Sequence, residues 1–388
     1  MSNYFSSYCT LIGSLEQLDH CKQANGLADL LARIKQLWHC SDLGDHELLG
    51  EIARLNQIPI QPSTQSSFQS SFQLSNQAAP VNLAGSWLPY RYQAKRHLIN
   101  WLIPFGHATE PFQDEYISRC RQQLINQIIQ PCSSPAFALQ QAEMVADVKP
   151  TGFIFHLSRC GSTLVSGCLS ELESTCVFSE SPLLTEVLLD GDLSLVQQKN
   201  FLRAFINLQA AAFPNRPHMI IKWNAWDIFC WEIIRELHPQ VPVIFLVRDP
   251  VEILASHQRS AGRHMAGDKS LATLHPVFSR VSDEQTLLGW QSGVLGALLG
   301  EMNRVKHDNA ILCLDYKNLD VVGMNKICHH FGIDTHSARF ATRLKFHSKA
   351  PQIVFFNDDQ VKQTIFSTDE KIGIRASLLD LHQQFFEQ

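Results

Sequence analysis

The sequence has no excess of basic residues and no long apolar run. Its 388 residues include 32 lysines and arginines against 37 aspartates and glutamates, which gives a formal net charge of −5, and the pI is near 6.4. Proteins that coat nucleic acids are usually basic overall, so we expect no nucleic acid partner. No stretch approaches the roughly 18 consecutive apolar residues of a membrane-spanning helix, so we expect no membrane insertion.

The sequence also lacks a Cys-x-x-Cys pair and a recognisable signal peptide. Its 11 cysteines are scattered and odd in number, a pattern that is typical of reduced thiols rather than of a disulfide framework. Residues 1–12 contain neither a basic segment nor a long apolar segment of the kind that directs secretion. These absences predict a soluble, cytoplasmic protein.

One metal-binding motif is incomplete. His46 and Glu47 begin like the zinc-protease pattern His-Glu-x-x-His, but Gly50 stands where the second histidine is required. We therefore predict no metal site.

The most informative stretch is a predicted strand, turn and helix between Gly152 and Leu172. The strand 153–155 is short and wholly apolar, as a strand buried on both faces should be. In the turn 158–162, Gly161 allows the backbone to approach a ligand closely, and a helix with free N–H groups follows. The pattern predicts an anion site; the alternative is a generic strand–turn–helix with an exposed arginine.

The turn differs from the Walker pattern G-x-x-x-x-G-K-[ST]. When the two are aligned on Gly161, His156 replaces the first glycine and Ser162 replaces the phosphate-binding lysine. A cation stands instead at Arg159, whose planar guanidinium suits bidentate binding of phosphate or sulfate.

Two further predicted strands end in a charged residue. Glu180 follows the strand 175–178, and Lys222 ends the strand 219–222. Ligands of open α/β sheets bind at the carboxyl ends of the strands, so Glu180 is a candidate general base. Two alternatives stay open: Glu180 caps the helix after Pro182, and Lys222 is a solvated strand end.

The most strongly β-patterned run, 241–247, is followed by Arg248. Pro250 suits the first turn of a helix that also carries Ser256, eight residues after Arg248. We expect the guanidinium and the hydroxyl to converge on one phosphate. A competing interpretation is a Walker B strand in which Asp249 holds magnesium.

These motifs resemble those of the PAPS-dependent sulfotransferases, and most of all those of the bacterial sulfotransferase-like branch. The turn 158–163 is similar to the 5′-phosphosulfate loop of that family, which has Lys or Arg before a small-residue Gly-Ser/Thr-Thr turn. Arg248 and Ser256 match the residue types and the spacing of its 3′-phosphate site. The resemblance covers residues 150–388 and does not extend to residues 1–85.

One residue departs from the family pattern. Lys222 matches the lysine of the family's Lys-x-His segment, but Asn224 stands in place of the histidine that serves as base. An asparagine does not accept a proton at neutral pH, so the base must lie elsewhere. We predict Glu180, with His257 or His264 in reserve; the alternative for both histidines is a surface position.

The resemblance implies transfer of a sulfuryl group from PAPS to a hydroxyl or amine acceptor, with PAP as the product. It implies the catalytic residue Lys222 and these cofactor-binding residues: Ser158, Arg159, Cys160, Gly161, Ser162, Thr163, Arg248 and Ser256. Glu180 and His257 complete the predicted catalytic residues, because Asn224 does not provide the base. Two other functions stay open, a P-loop small-molecule kinase that uses ATP and Mg²⁺, and a non-catalytic PAP-binding protein. The acceptor is expected to be a small molecule or an oligomer.

The predicted fold is a three-layer α/β fold of P-loop type with a mostly parallel central sheet, preceded by a helical N-terminal region. The predicted domain organisation consists of four parts: a helical region at 1–60, a Ser/Gln-rich linker at 61–84, an aromatic-rich helical segment at 85–149 packed on the catalytic domain, and a sulfotransferase-like domain at 150–388.

Overall fold

The computed structural model describes most of the chain, namely residues 4–62, 81–267, 278, 281, 284, 286–346 and 365–387. Most of the predicted linker, 63–80, lies outside the described residues. The chain forms two compact units. The first unit consists of residues 1–107, 114–148 and 182–215, and the second unit of residues 108–113, 149–181 and 216–388.

The strands are, in chain order, β1 (Leu88–Gln93), β2 (Leu98–Leu102), β3 (Cys132–Ser133), β4 (Gly152–His156), β5 (Thr175–Ser179), β6 (His218–Lys222), β7 (Val243–Val247) and β8 (Ile311–Asp315). The helices include α1 (Phe5–Gly13), α2 (Leu15–Lys22), α3 (Leu27–Trp38), α4 (Asp45–Leu55), α5 (Gln113–Arg121), α6 (Leu124–Ile128), α7 (Pro135–Ala142), α8 (Ser162–Ser170), α9 (Pro182–Leu188), α10 (Leu195–Ala211), α11 (Trp231–Leu237), α12 (Pro250–Arg259), α13 (Leu287–Val305), α14 (Val321–Phe331), α15 (Ser337–Arg343) and α16 (Thr368–Phe386).

The first unit begins with the helices α1 to α4, which confirms the predicted helical N-terminal region. In α3 the buried side chains recur at helical spacing, at Leu30, Leu31, Ile34 and Trp38. Ser14 begins α2 by accepting a hydrogen bond from the amide of Gln17 at 3.3 Å.

The segment 85–149 is not wholly helical as predicted, because β1, β2 and β3 form an antiparallel sheet within it. β1 and β2 are joined through His97, whose φ of 49° turns the chain back. The aromatic residues Tyr90, Tyr92 and Trp101 suit a pleated surface, and tertiary pairing decides their conformation.

The second unit contains a five-stranded sheet in the order β5-β6-β4-β7-β8, in which every neighbouring pair is parallel. In chain order this is 2-3-1-4-5, so the first strand, β4, lies in the centre. The strands β5 and β6 lie on one side of β4, and the strands β7 and β8 lie on the other side. Because connections between parallel strands are right-handed, this order places helices on both faces of the sheet.

Side chains on both faces of the sheet pack against other parts of the second unit. Ile154 belongs to an aliphatic core that includes residues of α8 and α14. On the other face the ring of Phe155 lies 5.6 Å from that of Trp231, and Phe245 lies 6.3 Å from Phe385, measured between centroids. The predicted three-layer α/β fold of P-loop type with a mostly parallel sheet is therefore confirmed. Among the described helices, none is both long and apolar enough to span a bilayer.

Replacing Gly152 by alanine is expected to destabilise the protein. A Cβ atom at this position would lie 2.5 Å from Cδ1 of Phe331, so a ring in the packed core must move. Overpacking of this kind lowers the free energy of unfolding by about 1–3 kcal/mol, which urea titration measures. Gly300 is the matched control, since a Cβ there meets nothing within 4 Å and alanine in a helix interior should add about 0.5–1 kcal/mol. If both substitutions changed the free energy of unfolding in the same direction, the result would contradict this packing.

Candidate active site

The turn between β4 and α8 has an unusual backbone. Ser158, Arg159 and Gly161 have φ values of 69°, 51° and 84°. Two non-glycine residues in succession with positive φ are uncommon, and such conformations cluster at functional sites. Helix α8 begins directly after Gly161, so its first amide groups lack partners within the helix and face the turn.

The turn packs closely on the chain that follows β8. A Cβ atom on Gly161 would lie 2.5 Å from Cδ1 of Leu319 and 2.8 Å from Cδ2 of Tyr316. Position 161 therefore requires glycine both for its φ and for space. The thiol of Cys160 belongs to the aliphatic core, and burial raises its pKa to about 12, so only the backbone of this residue is available to a ligand.

Arg248 lies at this turn. Its guanidinium stacks 3.9 Å above the centroid of the Tyr316 ring, and its Nη1 donates to the carbonyl oxygen of Arg159 at 3.4 Å. Its Nε donates to the carboxylate of Glu252 at 2.5 Å. The structure thus brings the second predicted cation to the turn that carries the first. Ser256 is half-buried on α12, and its convergence with Arg248 on one phosphate stays a prediction.

Arg159 links the turn to the end of α12. Its Nη2 donates to the carbonyl oxygen of Ser260. Because Ser260 directly follows α12, the turn and the segment that carries His264 are tied together through this side chain.

Lys222 is the centre of the polar side chains at the carboxyl edge of the sheet. Its side chain has 0% exposure, and its Nζ lies 3.0 Å from Oε1 of Glu180. The same Nζ donates to Oγ1 of Thr163 in the first turn of α8 at 3.5 Å and lies 4.8 Å from the ring centroid of Phe112. The lysine is therefore not a solvated strand end.

Glu180 is held at this edge by its backbone and by its charge. Its φ is 55°, and its amide donates to the carbonyl oxygen of Lys222 at 2.6 Å. Burial alone would raise the pKa of the carboxyl group, but the Lys222 ammonium and the His156 ring outweigh it and lower the pKa to about 2. Glu180 is thus a carboxylate at neutral pH, and it is a weak proton acceptor.

His156 ends β4 and completes this cluster. Its Nδ1 accepts a hydrogen bond from the amide of Ser158 at 3.0 Å, so the ring proton lies on Nε2, which is 3.5 Å from Oε1 of Glu180. Burial lowers the pKa of His156 even though Glu180 favours the charged form. The ring is therefore neutral and oriented towards the carboxylate.

The two histidines after Arg248 are buried, not on the surface. Nδ1 of His257 accepts from the amide of Gly262 at 3.3 Å, and the rings of His257 and His264 are 5.9 Å apart. The Trp226 ring lies 5.2 Å from that of His264. Burial lowers the pKa of His264 to about 4.

Asn224, which replaces the family's histidine, has a structural role. The carboxylate of Asp227 accepts a hydrogen bond from the amide of Asn224 at 2.9 Å and from its side chain at 3.5 Å. Asn224 thereby begins the 3₁₀ helix Ala225–Cys230. This turn directs Trp226 towards His264.

Sequence reasoning missed three residues of this arrangement. His156 was visible as the polar end of an otherwise apolar strand, in the same position relative to β4 as Lys222 relative to β6. Phe112 and Tyr316 had no such signal, because they reach the edge from segments distant in sequence. No group of His, Cys, Asp and Glu side chains among the described residues is arranged to hold a metal ion.

Comparison with known proteins gives structural likenesses only. No protein-family model matches the sequence, and no curated protein matches it. Several solved structures of sulfotransferases resemble the chain. One from Alicyclobacillus acidocaldarius has 12% identity and a TM-score of 0.37, covering 62% of this chain and 97% of that one.

Two further structures are of the same kind. The sulfotransferase domain of the Synechococcus PCC 7002 olefin synthase has 17% identity and a TM-score of 0.36, covering 62% of this chain and 96% of that one. Sulfotransferase STF9 from Mycobacterium avium has 12% identity and a TM-score of 0.40, covering 69% and 83%. At these identities and TM-scores the likeness assigns no role to any residue of this chain.

Glu180→Gln is expected to destabilise the protein at pH 7 by on the order of 3 kcal/mol, because Lys222 would keep a buried charge without its carboxylate. A carboxyl group with a pKa lowered from 4.5 to about 2 stabilises the fold fully above about pH 4.5, and this contribution is lost as the pH falls towards 2. Urea unfolding should show the difference between wild type and variant shrinking by about 2 kcal/mol from pH 7 to pH 3.

The control for this substitution is Glu301→Gln, which removes a surface pair with Arg304. It should change the free energy of unfolding by less than about 1 kcal/mol at either pH. A difference for Glu180→Gln that does not depend on pH would contradict the ion pair with Lys222.

Proposed function

We propose that this protein transfers a sulfuryl group from PAPS to an acceptor hydroxyl or amine. The observation that carries the proposal is the fully buried Lys222 ammonium beside Thr163, at a turn that Arg248 reaches from its other side. A fully buried lysine is rare unless it is paired, and Lys222 is paired with Glu180 at 3.0 Å. Cations on the two sides of one turn would suit a ligand with anionic groups at both ends.

The residues of the turn fit a phosphosulfate group. The first amides of α8, from Ser162 and Thr163, would bind an anion at the helix N-terminus, and the bare Cα of Gly161 allows close approach. Arg159 lies beside these amides, and its guanidinium would turn from the Ser260 carbonyl to the anion. On the other side Arg248 and Ser256 would bind the 3′-phosphate.

PAPS, when bound, supplies a sulfuryl group activated by its linkage to a phosphate. Lys222 would neutralise the oxygens of that group through an ammonium whose position Glu180 fixes. The amides of the turn would stabilise the charge that develops on the leaving oxygen, because preorganised donors in a dry site act strongly on such charge. The neutral His156 ring lies beside this carboxylate, with its Nε2 3.5 Å from Oε1 of Glu180.

A P-loop kinase is less well supported. The carboxylate of Asp249 caps α12, accepting from the amides of Val251 at 2.8 Å and Glu252 at 3.4 Å, rather than lying open to a magnesium ion. Position 162, where a Walker motif has its lysine, is a buried serine. A non-catalytic PAP-binding protein would have the same cations, and turnover alone separates it from the enzyme.

Calorimetric titration with PAP tests this assignment. Wild type should bind PAP without a metal ion, and Arg248→Ala should weaken binding about 10- to 150-fold, because it loses charge-assisted hydrogen bonds worth about 1.5–3 kcal/mol. Arg304→Ala is the control, since that arginine is half-exposed on α13 and pairs with surface carboxylates. Its affinity for PAP should equal that of wild type.

Two results would overturn the nucleotide assignment. One is equal affinity for PAP in wild type and Arg248→Ala when both have native circular dichroism. The other is magnesium-dependent binding of ATP with no binding of PAP, which would favour the kinase.

A further inference from the structure

The first unit contains an open cavity of about 440 Å³ that is lined by residues of β1, β2 and α5 and by Gln130. It shares no residue with the cluster around Lys222. Cavities that bind small molecules have volumes of about 300–1,000 Å³, so this one has room for such a ligand. Apart from Ile117, every side chain that lines it carries a hydrogen-bonding group.

A β-bulge in β1 brings two successive side chains to this cavity. The register of β1 against β2 shifts by one residue between Pro89 and Arg91, so Tyr90 has no counterpart on β2. Successive side chains of a regular strand point to opposite faces, but Tyr90 and Arg91 both line the cavity. Bulges are over-represented next to active sites, because they redirect a side chain in this way.

One face of the helix α5 forms another wall of the cavity. The α5 residues that line it recur at i, i+3, i+4 and i+7, the spacing of one helix face: Asp114, Ile117, Ser118 and Arg121. Arg121 is exposed, and no hydrogen bond or ion pair joins its guanidinium to another described residue. This guanidinium can therefore bind a ligand without giving up a partner in the protein.

Arg91, in contrast, is held in position by carboxylates. Its Nη1 donates to Oε1 of Glu186 at 2.7 Å, and its Nη2 lies 3.7 Å from Oδ1 of Asp114. The other carboxylate oxygen of Glu186 accepts from the amide of Tyr92 at 2.7 Å. The Arg91 side chain nevertheless has 43% exposure. Its guanidinium is thus oriented in advance and still accessible to a ligand, which lowers the cost of ordering it on binding.

The charges around the cavity favour a ligand with a single negative charge. The carboxylates of Glu186 and Asp114 compensate the charge of Arg91, whereas no carboxylate is paired with Arg121. A planar guanidinium binds a carboxylate through two parallel hydrogen bonds. A ligand with a second negative charge would meet the Asp114 carboxylate on the same helix face, and like charges at close range repel each other.

The uncharged part of the wall favours hydroxyl groups on the same ligand. The side-chain amides of Gln93 and Asn100 line the cavity and are joined by a hydrogen bond of 2.5 Å. The Tyr90 hydroxyl has no hydrogen-bond partner among the described residues. Such a wall is hydrated in solution, so a ligand must replace the hydrogen bonds of the water that it displaces. Hydroxyl groups both donate and accept, as these side chains require.

We propose that this cavity binds a small hydroxylated carboxylate. Its carboxylate group pairs with Arg121, and its hydroxyl groups form hydrogen bonds with Tyr90, Arg91 and Asn100. The residues proposed to bind PAPS and to transfer the sulfuryl group belong to the second unit, so this site is a further one and does not rest on that function. It gives the first unit a ligand of its own.

Calorimetric titration of the full chain with D-gluconate tests the site, and D-sorbitol is the matched probe. Sorbitol has the same row of hydroxyl groups, but a hydroxymethyl group replaces the carboxylate. Gluconate should bind to wild type with a Kd of about 1 mM or lower. Sorbitol should bind at least about tenfold more weakly, because it lacks the charge-assisted hydrogen bonds with Arg121. Equal affinity for the two probes, or binding of neither, would overturn the assignment.

The variant Arg121→Gln tests the residue that selects the carboxylate. It should weaken gluconate binding about 10- to 150-fold and leave the affinity for sorbitol within about twofold of wild type. Arg203→Gln is the matched control, since Arg203 is an exposed arginine on α10 of the same unit and does not line the cavity. This control should bind gluconate as wild type does. Unchanged gluconate binding by Arg121→Gln would refute the role of Arg121.

Arg248→Ala separates this inference from the proposed function. We expect the variant to bind gluconate with the affinity of wild type, although its binding of PAP is weakened. A wild type that binds gluconate but no PAP would refute the proposed function alone. A wild type that binds PAP but no gluconate would refute this inference alone.

Discussion

The ammonium of Lys222 has no exposure to solvent, and one carboxylate compensates its charge. Removing a charge from water costs several kcal/mol, and only close pairing with good hydrogen bonds offsets this. Glu180 provides the pairing at 3.0 Å, and Thr163 adds a hydroxyl at 3.5 Å. The fold at this edge must therefore hold three strand ends in register, because a small shift would leave a buried charge without its partner.

The residues next to the Lys222–Glu180 pair are also fixed in position. His156 is kept as one neutral tautomer by the amide of Ser158, the same residue that begins the strained turn. The turn, the strand end and the carboxylate are therefore coupled through one ring. Low local polarity strengthens each of these interactions, and the same low polarity makes any unsatisfied group costly. The carboxyl edge thus contains a rigid charged centre.

Much of this architecture was predictable from the sequence. The five parallel strands have apolar or β-branched runs of strand length, and their charged ends, Lys222 and Glu180, follow the rule that ligands bind at the carboxyl edge. Local pattern failed where pairing between strands decides the conformation, as in β1 and β2. It also failed for Phe112 and Tyr316, since contacts between distant segments leave no local periodicity.

The two units of this chain are interleaved in sequence, because residues 108–113 belong to the second unit and residues 182–215 return to the first. Neither unit is complete until the ribosome has passed residue 215, so the turn between β4 and α8 is synthesised before α9 and α10, the last helices of the first unit. Cleavage of the chain near residue 150 would separate the five-stranded sheet from Phe112. It would also leave α9 and α10 on a different fragment from the rest of the first unit. Gene fusion or domain exchange at that boundary should therefore yield unstable products, because each product would lack segments of both units.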